Sequence, residues 1–295
     1  MNKKNLSVVV LSISICMLFM LSCKKDKKDV DMIFETDVIN AQDNSAFQSA
    51  FDDIFKASED AMSKNNGARL YGGPGVNFNC VNITIDTLSN NPFIRRFTIH
   101  FTSGCRTYDG KSRSGSLIVE LSGDKYNETG SVTTITTNNY QVEGVKIEGR
   151  KTITCVEPGK HNIQVTGING TGYAKITYTD GKTAEWKSTR TRTQTAGSNT
   201  PLNIFDNKFE ISGTNGNSQV AEGINRDGGR YTVNIESPLV IDFTCEKTLI
   251  RYPTSGVLVI TPEGKSARKI DYGTGTCDSR ATISVAGFSK EINLP

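Results

Sequence analysis

The side chains able to do chemistry are few. The chain carries two His, seven Cys and one Trp, with 31 Asp and Glu among 295 residues. A Ser-His-acid site would need His100 or His161. His100 alternates with strand-type apolar residues, His161 stands between Lys160 and Asn162 as in a polar turn, and no Gly-x-Ser-x-Gly elbow occurs. Neither a Gly-x-x-x-x-Gly-Lys phosphate loop nor a dinucleotide fingerprint follows a strand. With no Cys-x-x-Cys and no ligand-spaced neighbours around either His, no metal and no cofactor is expected. Paired carboxylates for glycoside hydrolysis could come from Glu120, Glu143, Glu148, Glu185 and Glu210, but nothing in their spacing selects two. Trp186, Arg190 and Arg192 occupy even positions of one strand and so share a face. Trp beside Arg suits stacking on a sugar or clamping an anionic group. The favoured alternative is a Trp that covers the sheet edge next to solvated Arg.

The elements that carry these residues begin with an unusual N-terminus. Lys3 and Lys4 precede an apolar run from Leu6 to Leu21, which is short for a bilayer span and has the order of a secretory signal. The run ends at Met20-Leu21-Ser22-Cys23, which resembles the lipobox of bacterial lipoproteins. That resemblance implies cleavage after residue 22 and acylation of Cys23, with residues 23–45 as lipidated Cys and tether. The alternatives are an ordinary cleaved signal, or an uncleaved anchor with Cys23 incidental. Each buried methylene of an acyl chain contributes about 0.8 kcal/mol, so several chains together hold a protein on a membrane. Lys24-Lys25-Asp26-Lys27-Lys28-Asp29 reads as a solvated tether. Without residues 1–22 and this tether, Lys and Arg number 28 against 29 acids. A near-neutral body offers no electrostatic footprint for nucleic acid.

From Ala46 the apolar residues Phe47, Phe51, Ile54, Phe55 and Met62 fall on one helical face, which predicts an amphipathic helix over 46–65. Asp43, Asn44 or Ser45 is placed to cap it, and Asp52, Asp53, Lys56 and Glu59 lie largely on its other face. After Tyr71-Gly72-Gly73-Pro74-Gly75 the period changes to two. Phe97, Ile99 and Phe101 alternate with polar residues, as do Tyr231, Val233 and Ile235, then Leu239, Ile241 and Phe243. Turn pairs recur at Asp109-Gly110, Asn169-Gly170, Asp180-Gly181 and Ala286-Gly287. No helical stretch separates the strands, which excludes a parallel α/β sheet. The expected fold is mainly β: an antiparallel domain over 76–295, as a sandwich or wrapped meander, with one N-terminal amphipathic helix.

The β region echoes itself. Ile99-His100-Phe101-Thr102-Ser103-Gly104-Cys105 aligns with Ile270-Asp271-Tyr272-Gly273-Thr274-Gly275-Thr276-Cys277, and Ser112-Arg113 with Ser279-Arg280. A Cys precedes each copy, Cys80 and Cys245, giving related hairpins at 80–123 and 245–287 around a long meander. The segment Asp271-Tyr272-Gly273-Thr274-Gly275-Thr276-Cys277-Asp278, with the lipobox and short helix, resembles uncharacterised outer-membrane lipoproteins of the Bacteroidota. This resemblance implies a compartment and an architecture but no activity. An envelope compartment permits disulfides. The echo pairs Cys80 with Cys105 and Cys245 with Cys277 and leaves Cys155 over; the alternative is five unpaired, buried thiols.

These readings converge on an outer-membrane, lipid-anchored protein of non-enzymatic, structural or interaction type, its partners being the membrane through the N-terminal lipid and an envelope protein or glycan. Lys24-Lys25 gives no acidic surface-export tag, which favours the periplasmic face. A glycan- or ligand-binding module using Trp186, Arg190 and Arg192 is the second reading, and a secreted hydrolase the third.

Overall fold

An apolar stripe at helical spacing needs a surface to cover, and here that surface is a single large sheet. The computed structural model describes residues 38–63, 80–87, 94–107, 110–123, 126–200, 204–248 and 252–293. The signal segment, Cys23, the tether, the Tyr71 to Gly75 stretch and Asp109 lie outside them. The helix, α1, spans Val38–Ser63. It therefore starts eight residues before the expected Ala46, and Asp43 and Asn44 are not caps but inward-facing residues within it. The reason is tertiary: their polar groups find partners on the sheet, so they are not spent on the helix's own first amides.

Strands follow as β1 (Val81–Thr87), β2 (Ile94–Arg106), β3 (Ser112–Ser122), β4 (Val132–Val142), β5 (Val145–Glu148), β6 (Arg150–Glu157), β7 (Lys160–Thr166) and β8 (Ala174–Thr177). The second half holds β9 (Thr183–Ala196), β10 (Lys208–Ser212), β11 (Gln219–Ile224), β12 (Arg230–Asp242), β13 (Ser255–Pro262), β14 (Arg268–Thr274), β15 (Arg280–Val285) and β16 (Phe288–Asn293). All pair antiparallel in one sheet, and nearly every neighbour in space is a neighbour in sequence. Three pairs act as single interrupted strands. β5 and β6 share the edge of β4, β8 and β7 share one edge of β9, and β11 and β10 lie between β9 and β12. The result is an up-and-down meander. Among the described residues β1 pairs only with β2 and β16 only with β15, so the sheet is open. Of the two architectures the alternation allowed, this is the wrapped meander.

Helix α1 touches β1, β2, β3 and β4 near one end of the sheet, β9 in its middle and β13 toward the other end. A twisted antiparallel sheet can meet one helix at all these places only by curling around it. Phe47, Phe51 and Ile54 are fully buried, and each such side chain contributes about 1.5–3 kcal/mol by leaving water. The strand break between β5 and β6 falls at Gly149 because Phe51 fills the space there. A Cβ on Gly149 would sit 2.6 Å from Phe51 Cζ and 2.8 Å from Ala174 Cβ.

Disulfide Cys80–Cys105 joins the residue before β1 to the end of β2, and Cys245–Cys277 joins the short 3-10 helix Phe243–Thr248, ahead of β13, to the loop between β14 and β15. Both have Cα atoms 5.4 Å apart. Each disulfide thus closes a loop around the first hairpin of its unit, β1–β2 or β13–β14, and Cys155 is a buried free thiol.

Candidate functional site: the seam between helix and sheet

The chemistry-bearing side chains gather where α1 meets the inner face of the sheet. The N-terminal half of the helix presents polar groups inward. Asn40 Oδ1 accepts a hydrogen bond from Asn225 Nδ2 at 2.7 Å. Asp43, fully buried, accepts from the Arg226 backbone amide at 2.7 Å, from Arg226 Nε at 2.7 Å and from Tyr178 Oη at 2.7 Å, and it pairs with Arg226 Nη2. Burial and the Asp43 bond push the Tyr178 hydroxyl above its ordinary range, so it stays a donor. Asn44 Oδ1 accepts from Trp186 Nε1 at 3.0 Å, and the indole stacks on Phe47 with centroids 5.5 Å apart.

This geometry corrects the placement of Trp186. It does share a strand face with Arg190 and Arg192, but that face is the inner one, under the helix. Trp186 is only 1% exposed, and its single N–H is already bonded. A buried indole holding a helix has no free ring face for a sugar. Arg190 is buried as well, at 7% exposure, and Arg192 is half-buried rather than solvated.

The second half of the helix meets cations. Lys151 on β6 is 2% exposed; its Nζ donates to the Phe51 carbonyl at 3.0 Å and to Asp52 Oδ1 at 2.9 Å. Burial lowers its pKa, and Asp52 opposes that shift. Arg113 on β3 spans both oxygens of Asp53 at 2.7 and 2.8 Å, with Lys111 Nζ on the same carboxylate at 2.8 Å. Asp53, expected on the outer face of the helix, is therefore a tie to the sheet. Arg192 Nη2 donates to Tyr126 Oη at 2.7 Å, and its guanidinium lies 5.0 Å over the Phe209 ring. Register lines up Cys155, His161 and Arg192 across β6, β7 and β9, then Ile153, Ile163 and Arg190, then Lys151, Val165 and Ser188.

His161 is not in a turn. It lies within β7, 1% exposed, stacked on Tyr126 at 4.5 Å between centroids. Its alternation with Ile163 and Val165 was the available signal. Burial and the nearby Arg192 lower its pKa to about 4 against a backbone hydrogen bond with Tyr126, so it is neutral at pH 7. Burial, then Glu157, raises the Cys155 thiol, which points to the Glu157 carbonyl at 3.4 Å. Cys155 and His161 are cross-strand partners, yet a raised thiol beside a neutral imidazole is the reverse of the ion pair a cysteine nucleophile requires.

His100 is exposed, its Nδ1 3.1 Å from Ser116 Oγ. Glu120 and Glu148 hold Arg96 and Lys146 in ion pairs at 2.7 and 2.9 Å. In register, no carboxylate stands directly opposite Glu120, Glu148, Glu185 or Glu210. Among the described residues, no group of three or more His, Cys, Asp or Glu is arranged to hold a metal ion. Arg113 and Lys151 escaped the sequence reading, although Lys151 is in phase with Ile153 and Cys155 and so faces inward. Comparison with family profiles, with curated proteins and with solved structures finds no match to this chain.

Proposed function

We propose that this chain is a lipid-anchored protein of the outer membrane whose folded body acts by binding or scaffolding rather than by catalysis. The observation that carries the reading is Ser22-Cys23 at the end of the Leu6 to Leu21 run, after Lys3 and Lys4 and before a Lys-rich tether. Two disulfides in the body agree with an oxidising envelope compartment, since such bonds persist outside the cytosol. The seam supports a non-catalytic role. Asp43, Asp53, Lys151 and Arg226 are engaged in tying α1 to the sheet, and the neighbouring Cys155 and His161 are electrostatically unsuited to nucleophilic attack. The anchor leaves the body facing water, on the periplasmic side.

Cells making the full chain, grown with a radiolabelled fatty acid, should label the wild-type polypeptide and fractionate it with membranes. Cys23→Ser should abolish the label and release the protein. Wild-type chain without label, or a Cys23→Ser chain that processes and fractionates unchanged, would overturn the reading. Protease treatment of whole cells tests the side of the membrane, since a periplasmic body resists digestion until the outer membrane is opened.

A further inference from the structure

Around the second half of α1 the inner face of the sheet holds a buried cation, Arg190, whose donors are not spent among the described residues. Lys151 and Arg190 are 2% and 7% exposed, and Arg192 lies beside them two residues along β9. Asp52 is within electrostatic reach of Arg190, and also of Lys151 and Arg192. Lys151 already binds that carboxylate and the Phe51 carbonyl, and Arg192 donates to Tyr126. Arg190 differs. Among the described residues its guanidinium donates no hydrogen bond, and its contact is the Trp186 ring, 6.0 Å from centroid to Cζ. Guanidinium carries five N–H donors, does not lose its proton in proteins, and is costly to bury without acceptors.

The cluster is not sealed. The Asp52 side chain is 57% exposed while the Lys151 it binds is 3% exposed, so the carboxylate marks a place where solvent reaches the edge of the buried cations. Aliphatic neighbours of Arg190 in register are Ile163, directly opposite, and Ile153 beyond it, and Ser188 and Arg192 stand two residues away on the same face of β9. Trp186 lies behind the guanidinium, an arrangement that occupies a face of the fork and leaves its N–H edges for a planar or tetrahedral acceptor.

We propose that Arg190, Lys151 and Arg192 form a binding site for a small oxyanion, a carboxylate or a phosphate, that enters past Asp52 and takes the unspent donors of Arg190. The site is independent of the lipid anchor and stands or falls separately from it. A carboxylate on a small metabolite, free phosphate and the phosphodiester of a lipid headgroup share this chemistry.

The test is calorimetric titration of the full chain with inorganic phosphate, and separately with acetate, at constant ionic strength set with sodium chloride. The wild type should bind at least one of these anions saturably with one-to-one stoichiometry. Arg190→Met should weaken that binding by about tenfold or more, because the bidentate donor is gone. Arg190→Lys keeps the buried charge, and therefore the fold, but loses the fork, so a loss of about fivefold is expected. Lys269→Met, on the outer surface where Lys269 pairs with Glu236, should bind as the wild type does. Vesicles of phosphatidylglycerol that displace bound phosphate, where phosphatidylcholine vesicles do not, would assign the oxyanion to a lipid headgroup; no displacement would assign it to a free ion. No saturable binding by the wild type, or equal binding by wild type and Arg190→Lys, would overturn the proposal.

Discussion

Removing the Asp43 carboxylate should undock the helix more than removing any apolar contact of similar size. Asp43 is fully buried and accepts from the backbone amide and guanidinium of Arg226 and from the hydroxyl of Tyr178. Truncation to Ala deletes these charge-assisted bonds together. Arg226 keeps about a quarter of its side chain in solvent and can recover some hydration, and Tyr178 is half-buried. Breaking a buried pair by deleting one partner costs roughly 3–5 kcal/mol. The solvent available to Arg226 argues for the lower end, about 3–4 kcal/mol, and at about 2–4 °C per kcal/mol for a chain of this size the melting temperature falls by roughly 10 °C. Trp186 gives a direct assay. It is the single Trp, it is bonded to Asn44 next to Asp43, and it stacks on Phe47, so its emission reports helix docking. Urea unfolding followed by Trp fluorescence and by far-UV circular dichroism should show both midpoints lowered in Asp43→Ala. The double variant Asp43→Ala, Arg226→Ala should lose less than the sum of the single losses, because the two share one interaction. A loss below about 1 kcal/mol, or strict additivity in the cycle, would refute the claim that this polar lock holds the helix.

Two further outcomes follow from the seam. His161 protonates near 6.5 when unfolded but at about 4 in the fold, so between these values the unfolded chain binds more protons, and stability that is full above pH 6.5 declines as pH falls toward 4. His161→Phe keeps the stacking on Tyr126 and should flatten that decline by on the order of 2 kcal/mol between pH 7.5 and 4.5, read from urea midpoints; identical pH dependence in both proteins would refute it. Gly149→Ala drives a methyl into Phe51 and Ala174 and should cost about 1–3 kcal/mol, with partial recovery when Phe51→Leu opens the space; a neutral Gly149→Ala would mean that the contact yields freely.

Periodicity reached much of this architecture because it is local. Alternation at Phe97, Ile99 and Phe101 marks β2, and the Phe47, Phe51, Ile54 stripe marks the buried side of α1. The echo around Cys105 and Cys277 led to both disulfides, since equivalent hairpins place equivalent cysteines together. Period two also put Trp186, Arg190 and Arg192 on a common face. It could not say which face a helix some 140 residues upstream would cover, and that covering is what makes Arg190 interior. The helix start was misread for the same reason. Asp43 and Asn44 are favoured caps in isolation, but Arg226, Tyr178 and Trp186 offer them better partners across the fold. Whether the sheet closes depends on twist accumulated over all its strands, and no short window of sequence contains that quantity.

The order of synthesis runs against the order in which α1 can be satisfied. Its inward groups meet Trp186, Arg226 and Asn225 across 142, 183 and 185 residues, so the first described element to leave the ribosome completes its contacts only after most of the chain exists. Pairings of such long range form slowly, because the intervening chain must be drawn in before any contact compensates for its lost freedom. A nascent chain halted before Asn225 would expose Phe47, Phe51 and Phe55 beside polar side chains whose partners have not yet been made.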